Sequence, residues 1–241
     1  IEYRAMTVAQ SDRENAIVNV LRFHEAHNAL IFCATRATVN HITARFKNRG
    51  FSVVALSGEL TQSERSRALQ EMRDGRARVC VATDVAARGI DLPNLDLVIH
   101  ADLPTNAETL LHRSGRTGRA GRKGMSILIV PHNKRRTAER LLGSARIQAS
   151  WDRPPSAEDV ARRDDERLLA HSAFGEGEPE GDADLVRQIL EKHGPERVAR
   201  AFVALVRAGQ SAPEELQEVT VPEPRSGKQR ENFADSIWFS L

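Results

Sequence analysis

The chain has 241 residues, 40% hydrophobic and 28% charged, with a net charge of +2, so it carries enough apolar material for a sizeable core. No run approaches the roughly 18 to 20 apolar residues of a membrane span, and IEYRAMTVAQ lacks the layout of a signal peptide, so no membrane partner is expected. Residues 1–150 carry 23 Lys and Arg against 14 Asp and Glu, a surplus of +9, whereas 151–241 carry 12 against 19, or −7, which assigns any polyanionic partner to the first part.

In chain order, ALIFC (29–33) is a short apolar run that reads as a buried strand. A helix follows with Val39, Ile42 and Phe46 on one face, stopping at Gly50. FSVVAL (51–56) is a second strand. Thr61 and Glu64 have capping-box spacing and open a helix that runs to Asp74-Gly75. RVCVAT (78–83) and LDLVIHA (95–101) are the third and fourth strands; Thr105 with Glu108 predicts another capping box. MSILIV (125–130) is the fifth strand, with Asn133 placed to cap the basic helix after it. Apolar strands alternating with amphipathic helices predict a parallel α/β sheet covered on both faces, with ligands at the carboxyl ends of the strands.

From Trp151 onward no convincing strand appears for many residues. Ser156 starts a polar helix within SAEDVARRDDERLLAHSAF, and GEGEPEGD (175–182) is an acidic linker. Two helices follow, ADLVRQILEKHG and PERVARAFVALVRAG, the second with Pro195 at a first helical position and a stripe of Val198, Phe202, Leu205 and Val206. That stripe packs either on a two-fold mate, giving a homodimer through 183–208, or on the chain's own helices. VPEPRSGKQRENFAD (221–235) reads as a linker and IWFSL (237–241) as the opening of a strand. Cys33 and Cys80 sit in apolar runs, as buried small side chains in a reducing cytoplasm do. His100, on an apolar strand, reads as a core histidine. No HExxH pattern or Cys/His cluster points to a metal site.

The loops after the strands carry the chemistry. ATR (34–36), SGELTQSER (57–65) and TDVAARGID (83–91) are polar, glycine-containing or basic, and HRSGRTGRAGRKG (112–124) holds five cations and four glycines. Loop amides, helix N-termini and guanidinium groups brought to one edge suit a phosphate backbone.

ALIFCATR, SGELTQSER, VATDVAARGID and HRSGRTGRAG, in this order, resemble the motifs of the second RecA-like domain of DEAD-box RNA helicases over roughly residues 1–145. The resemblance implies a RecA-like domain over 1–150, a helical extension with a possible dimerisation segment over 151–220, and a linker plus the start of an RRM-like RNA-binding module over 221–241. It makes Arg116 and Arg119 arginine fingers for the γ-phosphate of ATP, a task for which a permanently charged, forked guanidinium is suited. His112 and Arg113 match residues that couple the nucleotide and RNA sites. Gly89 and Asp91 match the approach to the ATP ribose, and Thr35, Gly58, Gln62, Arg65 and Thr83 match contacts to RNA phosphates and 2′-hydroxyls. Asp84 fits a structural hydrogen-bonding role as well as a contact. Ala34, Leu110 and Ser114 depart from the family's usual Asn, Tyr and Ile.

Neither G-x-x-x-x-G-K-[ST] nor Asp-Glu-Ala-Asp occurs. Both belong to the first RecA-like domain, which is expected to hold most of the ATP and its Mg²⁺. The chain accordingly reads as part of a longer ATP-dependent RNA helicase, entered through an interdomain linker near Ile1 to Ser11 and without ATPase activity by itself. The alternatives are a non-catalytic RNA-binding and oligomerisation platform, or a helicase acting on DNA.

Overall fold

The computed structural model describes the whole chain except residues 27, 91, 93, 94, 120, 172, 173, 175–181 and 219–241. The readings of IWFSL and the 221–235 linker, nearly all of GEGEPEGD, and the role of Asp91 therefore lie outside the described residues. Seven parallel strands make one sheet: β1 (Glu2–Val8), β2 (Ala29–Cys33), β3 (Val53–Leu56), β4 (Val79–Thr83), β5 (Leu97–His100), β6 (Met125–Pro131) and β7 (Ser150–Asp152), ordered β3-β4-β2-β5-β6-β1-β7.

Alternate strand residues feed opposite faces, as a pleated strand requires. Ile31, Val81, Ile99 and Ile127 meet α1 (Arg13–His24) and α2 (Arg36–Asn48) in one buried cluster. Leu30, Phe32, Cys80 and Val98 pack with Ala68 and Met72 of α3 (Gln62–Arg73). Leu128 and Val130 pack with Leu110 of α4 (Ala107–Ser114) and with Ala138 and Leu141 of α5 (Arg135–Ser144). The predicted three-layer α/β arrangement, sheet between helices, is observed. Cys33 and Cys80 are free and buried, and burial pushes both thiols up to about 12.

Local signals behave unevenly. The Thr61–Glu64 capping box forms in both directions, and Ser156 caps α6 (Ala157–Leu169) with Asp159 closing a second box. At α4 the cap is Asn106 rather than Thr105: its side-chain carbonyl accepts from the Thr109 amide at 2.8 Å, the competition one expects from a carboxamide next to a hydroxyl. Asn133 caps nothing, because 132–134 form a 3-10 turn and Lys134 occupies the cap position of α5.

The largest revision is at the N-terminus. Glu2–Val8, read as linker, is a strand inserted between β6 and β7. Its partners lie more than a hundred residues away, so no local spacing marks it. Trp151, expected to open a strand-free region, sits in β7 with Arg135 over its ring at 4.5 Å.

The acidic part is bound to the basic one. Arg22 of α1 pairs with Asp164 of α6 at 2.5 Å, and Leu216 packs against the main core. Asn19, fully buried, donates to the carbonyls of Pro155 and Glu214 and accepts from the Glu214 amide, while the Glu214 carboxylate meets Arg45 and Arg49. Beyond α6, α7 (Ala183–His193) and α8 (Pro195–Ala208) pack on each other, and Phe202 meets Phe174 edge-on. Leu205 nevertheless stays 75% exposed and Leu185 52%.

His24, closing α1, gives a pH prediction. Burial, assisted by Arg4, pushes its imidazole from 6.5 down to about 4 despite the opposing pull of Glu2. The unfolded chain therefore binds the extra proton first, so this contribution is complete above about pH 6.5 and is lost as pH falls towards 4. The expected loss is on the order of 3 kcal/mol, read by urea unfolding at pH 7 and 4.5. His24→Gln should flatten the profile; an unchanged slope would show that the imidazole is not the group responsible.

Candidate nucleotide and nucleic-acid interface

Parallel register brings the carboxyl ends of β2, β3, β4 and β5 to one edge, with Cys33 beside Thr83, Leu56 beside Ala82 and Phe32 beside His100. The loops singled out above leave from these points.

Helix α4 carries His112 and Arg113 in its last turn and delivers the chain to Arg116 and Arg119. The turn beyond it folds tightly back. Thr117, 1% exposed, donates to the Leu95 carbonyl at 2.5 Å, Gly118 has φ +68°, and a Cβ on Gly124 would collide with Thr117 and the Gly118 backbone. Glycine is thus required at 124 for closeness and at 118 for its left-handed backbone. Arg116 donates from Nη1 to the Ile90 carbonyl at 3.1 Å, and Arg119 from Nε to the Gly115 carbonyl at 2.8 Å. Partial burial and then the neighbouring Arg119 charge hold the Arg116 guanidinium below its ordinary range. Like charges that feel each other in this way favour any anion that reaches them.

Arg113 behaves differently. Its side chain is 4% exposed and forks onto Asp84, Nε to Oδ1 at 2.6 Å and Nη2 to Oδ2 at 2.7 Å. The guanidinium also lies 5.1 Å from the centre of the Phe32 ring, and Nη1 donates to the Asp102 carbonyl. Of the two roles open to Asp84, the structural one is observed: it locks the β4 loop to α4. His112 is 72% exposed and 4.0 Å from Glu108. His112, Arg113 and Arg116 line a cavity of about 200 Å³ together with Asp84 and Arg88, the last of which sequence reasoning passed over.

The positions expected to meet RNA divide. Thr35 is exposed at the N-cap of α2, accepting from the Thr38 amide, so its turn-forming role is present. Gly58 and Gln62 are exposed, Thr83 is half-buried, and Arg36, beside Gly58, pairs with Glu59 at 2.8 Å. Arg65 donates to the carbonyls of Ala86 and Arg88 and so braces the loop that carries Gly89, itself at φ +67°. A helix-start arginine gives no sign in the sequence that it will turn to a neighbouring loop.

Two core features explain residues noted earlier. His100 is fully buried, with Nε2 3.0 Å from Ser126 Oγ, and Ser114, the departure from Ile, completes this polar group by approaching Ser126 Oγ at 2.9 Å and donating to the Leu110 carbonyl. Burial keeps His100 well below the ordinary imidazole value, so it stays neutral. Among the described residues no group of three or more His, Cys, Asp or Glu could hold a metal, and no helix is long and apolar enough to cross a membrane.

The helicase conserved C-terminal domain family matches residues 12–121, the stretch holding this edge. The ATP-dependent RNA helicase DbpA of Bacillus subtilis is 33% identical over 191 residues, 79% of this chain and 40% of that protein. The chain thus spans less than half the length of the curated relatives it matches. The E. coli DEAD-box protein SrmB, solved bound to the regulator of ribonuclease activity A, superposes with a TM-score of 0.58 at 33% identity, over 66% of this chain and 93% of that one. S. cerevisiae Dbp5, solved bound to RNA and ADP BeF3, gives 0.61 at 29% identity, over 69% of this chain and 45% of that one. With its RecA-like parallel sheet and its motifs gathered at the strand ends, the chain belongs to the DEAD-box protein family and contains its helicase conserved C-terminal domain.

Proposed function

We propose that residues 1–150 form the second motor domain of an RNA helicase, closing on a first RecA-like domain when ATP and RNA are both bound. The observation that carries this is the Arg116–Arg119 pair, two guanidinium groups three residues apart on a glycine-constrained turn, each anchored on a main-chain carbonyl, Ile90 for Arg116 and Gly115 for Arg119. These residues fit a polyphosphate's terminal group: forked cations address charge spread over phosphoryl oxygens, and their mutual repulsion is relieved on binding. The remaining nucleotide contacts, and the Mg²⁺, belong to the first domain, with Gly89 and Asp91 near the ribose. His112 and Arg113 join the two sites, Arg113 through its fork onto Asp84.

RNA runs across Thr35, Gly58, Gln62 and Thr83, with Arg65 acting at least through the loop it braces. That S. cerevisiae Dbp5 was solved bound to RNA and ADP BeF3 supports both halves of this reading. The working site is the cytoplasm. Residues 151–220 form an extension whose apolar side chains, still exposed on α7 and α8, suit a homodimer through 183–208.

The test compares this chain alone with the same chain joined to its first RecA-like domain, in Mg-ATP. The expected result is no turnover by the chain alone, and turnover by the joined protein that RNA stimulates more than DNA of equal length. Turnover by the chain alone, or no response to RNA, would exclude this function; a joined protein that binds RNA without hydrolysing ATP would be the non-catalytic platform instead.

A further inference from the structure

Asp102, just beyond β5, lies where the segments of the proposed interface meet, although nothing in its sequence context singles it out. Its Oδ1 accepts from Nη2 of Arg13, the first residue of α1, and the same Nη2 donates to the Ala101 carbonyl. Its Oδ2 accepts from the Ala34 amide at 2.8 Å, and its main-chain carbonyl accepts from Arg113 Nη1 at 2.8 Å. The Ala101 and Asp102 amides both point at the Phe32 carbonyl, at 3.0 and 3.3 Å, which fixes the distance between β5 and the end of β2. Neither partner is loose: the Asp102 side chain is 21% exposed and that of Arg13 24%.

Ala34 immediately precedes Thr35. The Thr35 turn is thus held from two directions, by its own cap onto Thr38 and by the Asp102 carboxylate on the amide before it. We propose that Asp102, oriented by Arg13, is a positioning residue that keeps the Ala34–Thr35 turn in register with the Arg113 end of α4, so that RNA is met by a preformed backbone path. This rests on the RNA-binding reading above. A carboxylate suits the task because it only accepts, offering one oxygen to a guanidinium and the other to an amide. A carboxamide cannot serve both, since its NH₂ must face one of two donors.

The test uses the joined two-domain protein with Asp102→Asn, and Arg13→Lys as the milder second variant, each read in two ways. The first is amide hydrogen exchange at Ala34, which should accelerate about tenfold in Asp102→Asn while the β2 and β5 amides keep their protection. The second is RNA-stimulated ATPase, in which the RNA concentration for half-stimulation should rise about tenfold with kcat at saturating RNA within about twofold. Arg13→Lys should give a smaller shift of the same kind. A purely structural role would lower kcat or the folded fraction and leave the RNA dependence alone, overturning the proposal, as would unchanged Ala34 exchange in both variants. If the unsubstituted protein shows no RNA stimulation, the function reading fails in that arm and this proposal falls with it.

Discussion

Replacing Arg116 with Ala in the joined two-domain protein should lower RNA-stimulated ATP hydrolysis by about a thousandfold or more, the range for a missing arginine finger. The loss should fall on kcat, with the apparent affinity for ATP changing little, if most nucleotide contacts belong to the first domain as proposed. Arg119→Ala should act in the same direction. Lysine at either position should rescue poorly, since an ammonium restores the charge but not the planar fork. Stability is the internal control: Arg116 contributes a hydrogen bond to the Ile90 carbonyl, so its removal should cost no more than about 1 kcal/mol. Measured by steady-state kinetics beside urea unfolding, a folded Arg116→Ala protein that keeps a tenth of the activity would end the finger assignment.

The second large effect is expected at Arg113 and Asp84. Asp84→Ala strands a guanidinium that is 4% exposed, leaving it the Asp102 carbonyl and the face of Phe32. Breaking a buried ion pair from one side typically costs about 3 to 5 kcal/mol, and the 40% exposure of Asp84 places this one near 3. Replacing both residues with apolar ones of similar size should recover much of the loss, because no uncompensated charge then stays buried. A double-mutant cycle of unfolding free energies measures the coupling. Near-zero coupling would mean the fork is an incidental contact, and would remove the stated link between the β4 loop and α4.

Several residues of the interface were legible from sequence because their behaviour is local. A capping box needs only Thr61 and Glu64 three positions apart, and it forms as spaced. The four glycines of HRSGRTGRAGRKG are visible as such in the sequence, and two of them are needed in the turn, Gly118 for its φ of +68° and Gly124 because a Cβ has no room there. Arg65 shows the boundary of such reasoning. Its position at a helix start was visible, but whether its guanidinium faced solvent or the Ala86 and Arg88 carbonyls depended on where a separate loop came to rest. Ser114 likewise looked like a substitution in a motif until His100 and Ser126 were placed beside it.

By itself the sequence determined the sheet's five inner and edge strands from β2 to β6, the helices between them and the order of the motifs, because apolar periodicity and turn chemistry act over a few residues. Only the tertiary structure decided that Glu2–Val8 is a strand, that residues 211–218 lie against α1 and α2 through Glu214 and Leu216, and that Asp102 joins Arg13, Ala34 and Arg113. These are pairings between segments 68 to more than a hundred residues apart in most cases, and each partner is satisfied only once the sheet has brought the other within hydrogen-bonding reach.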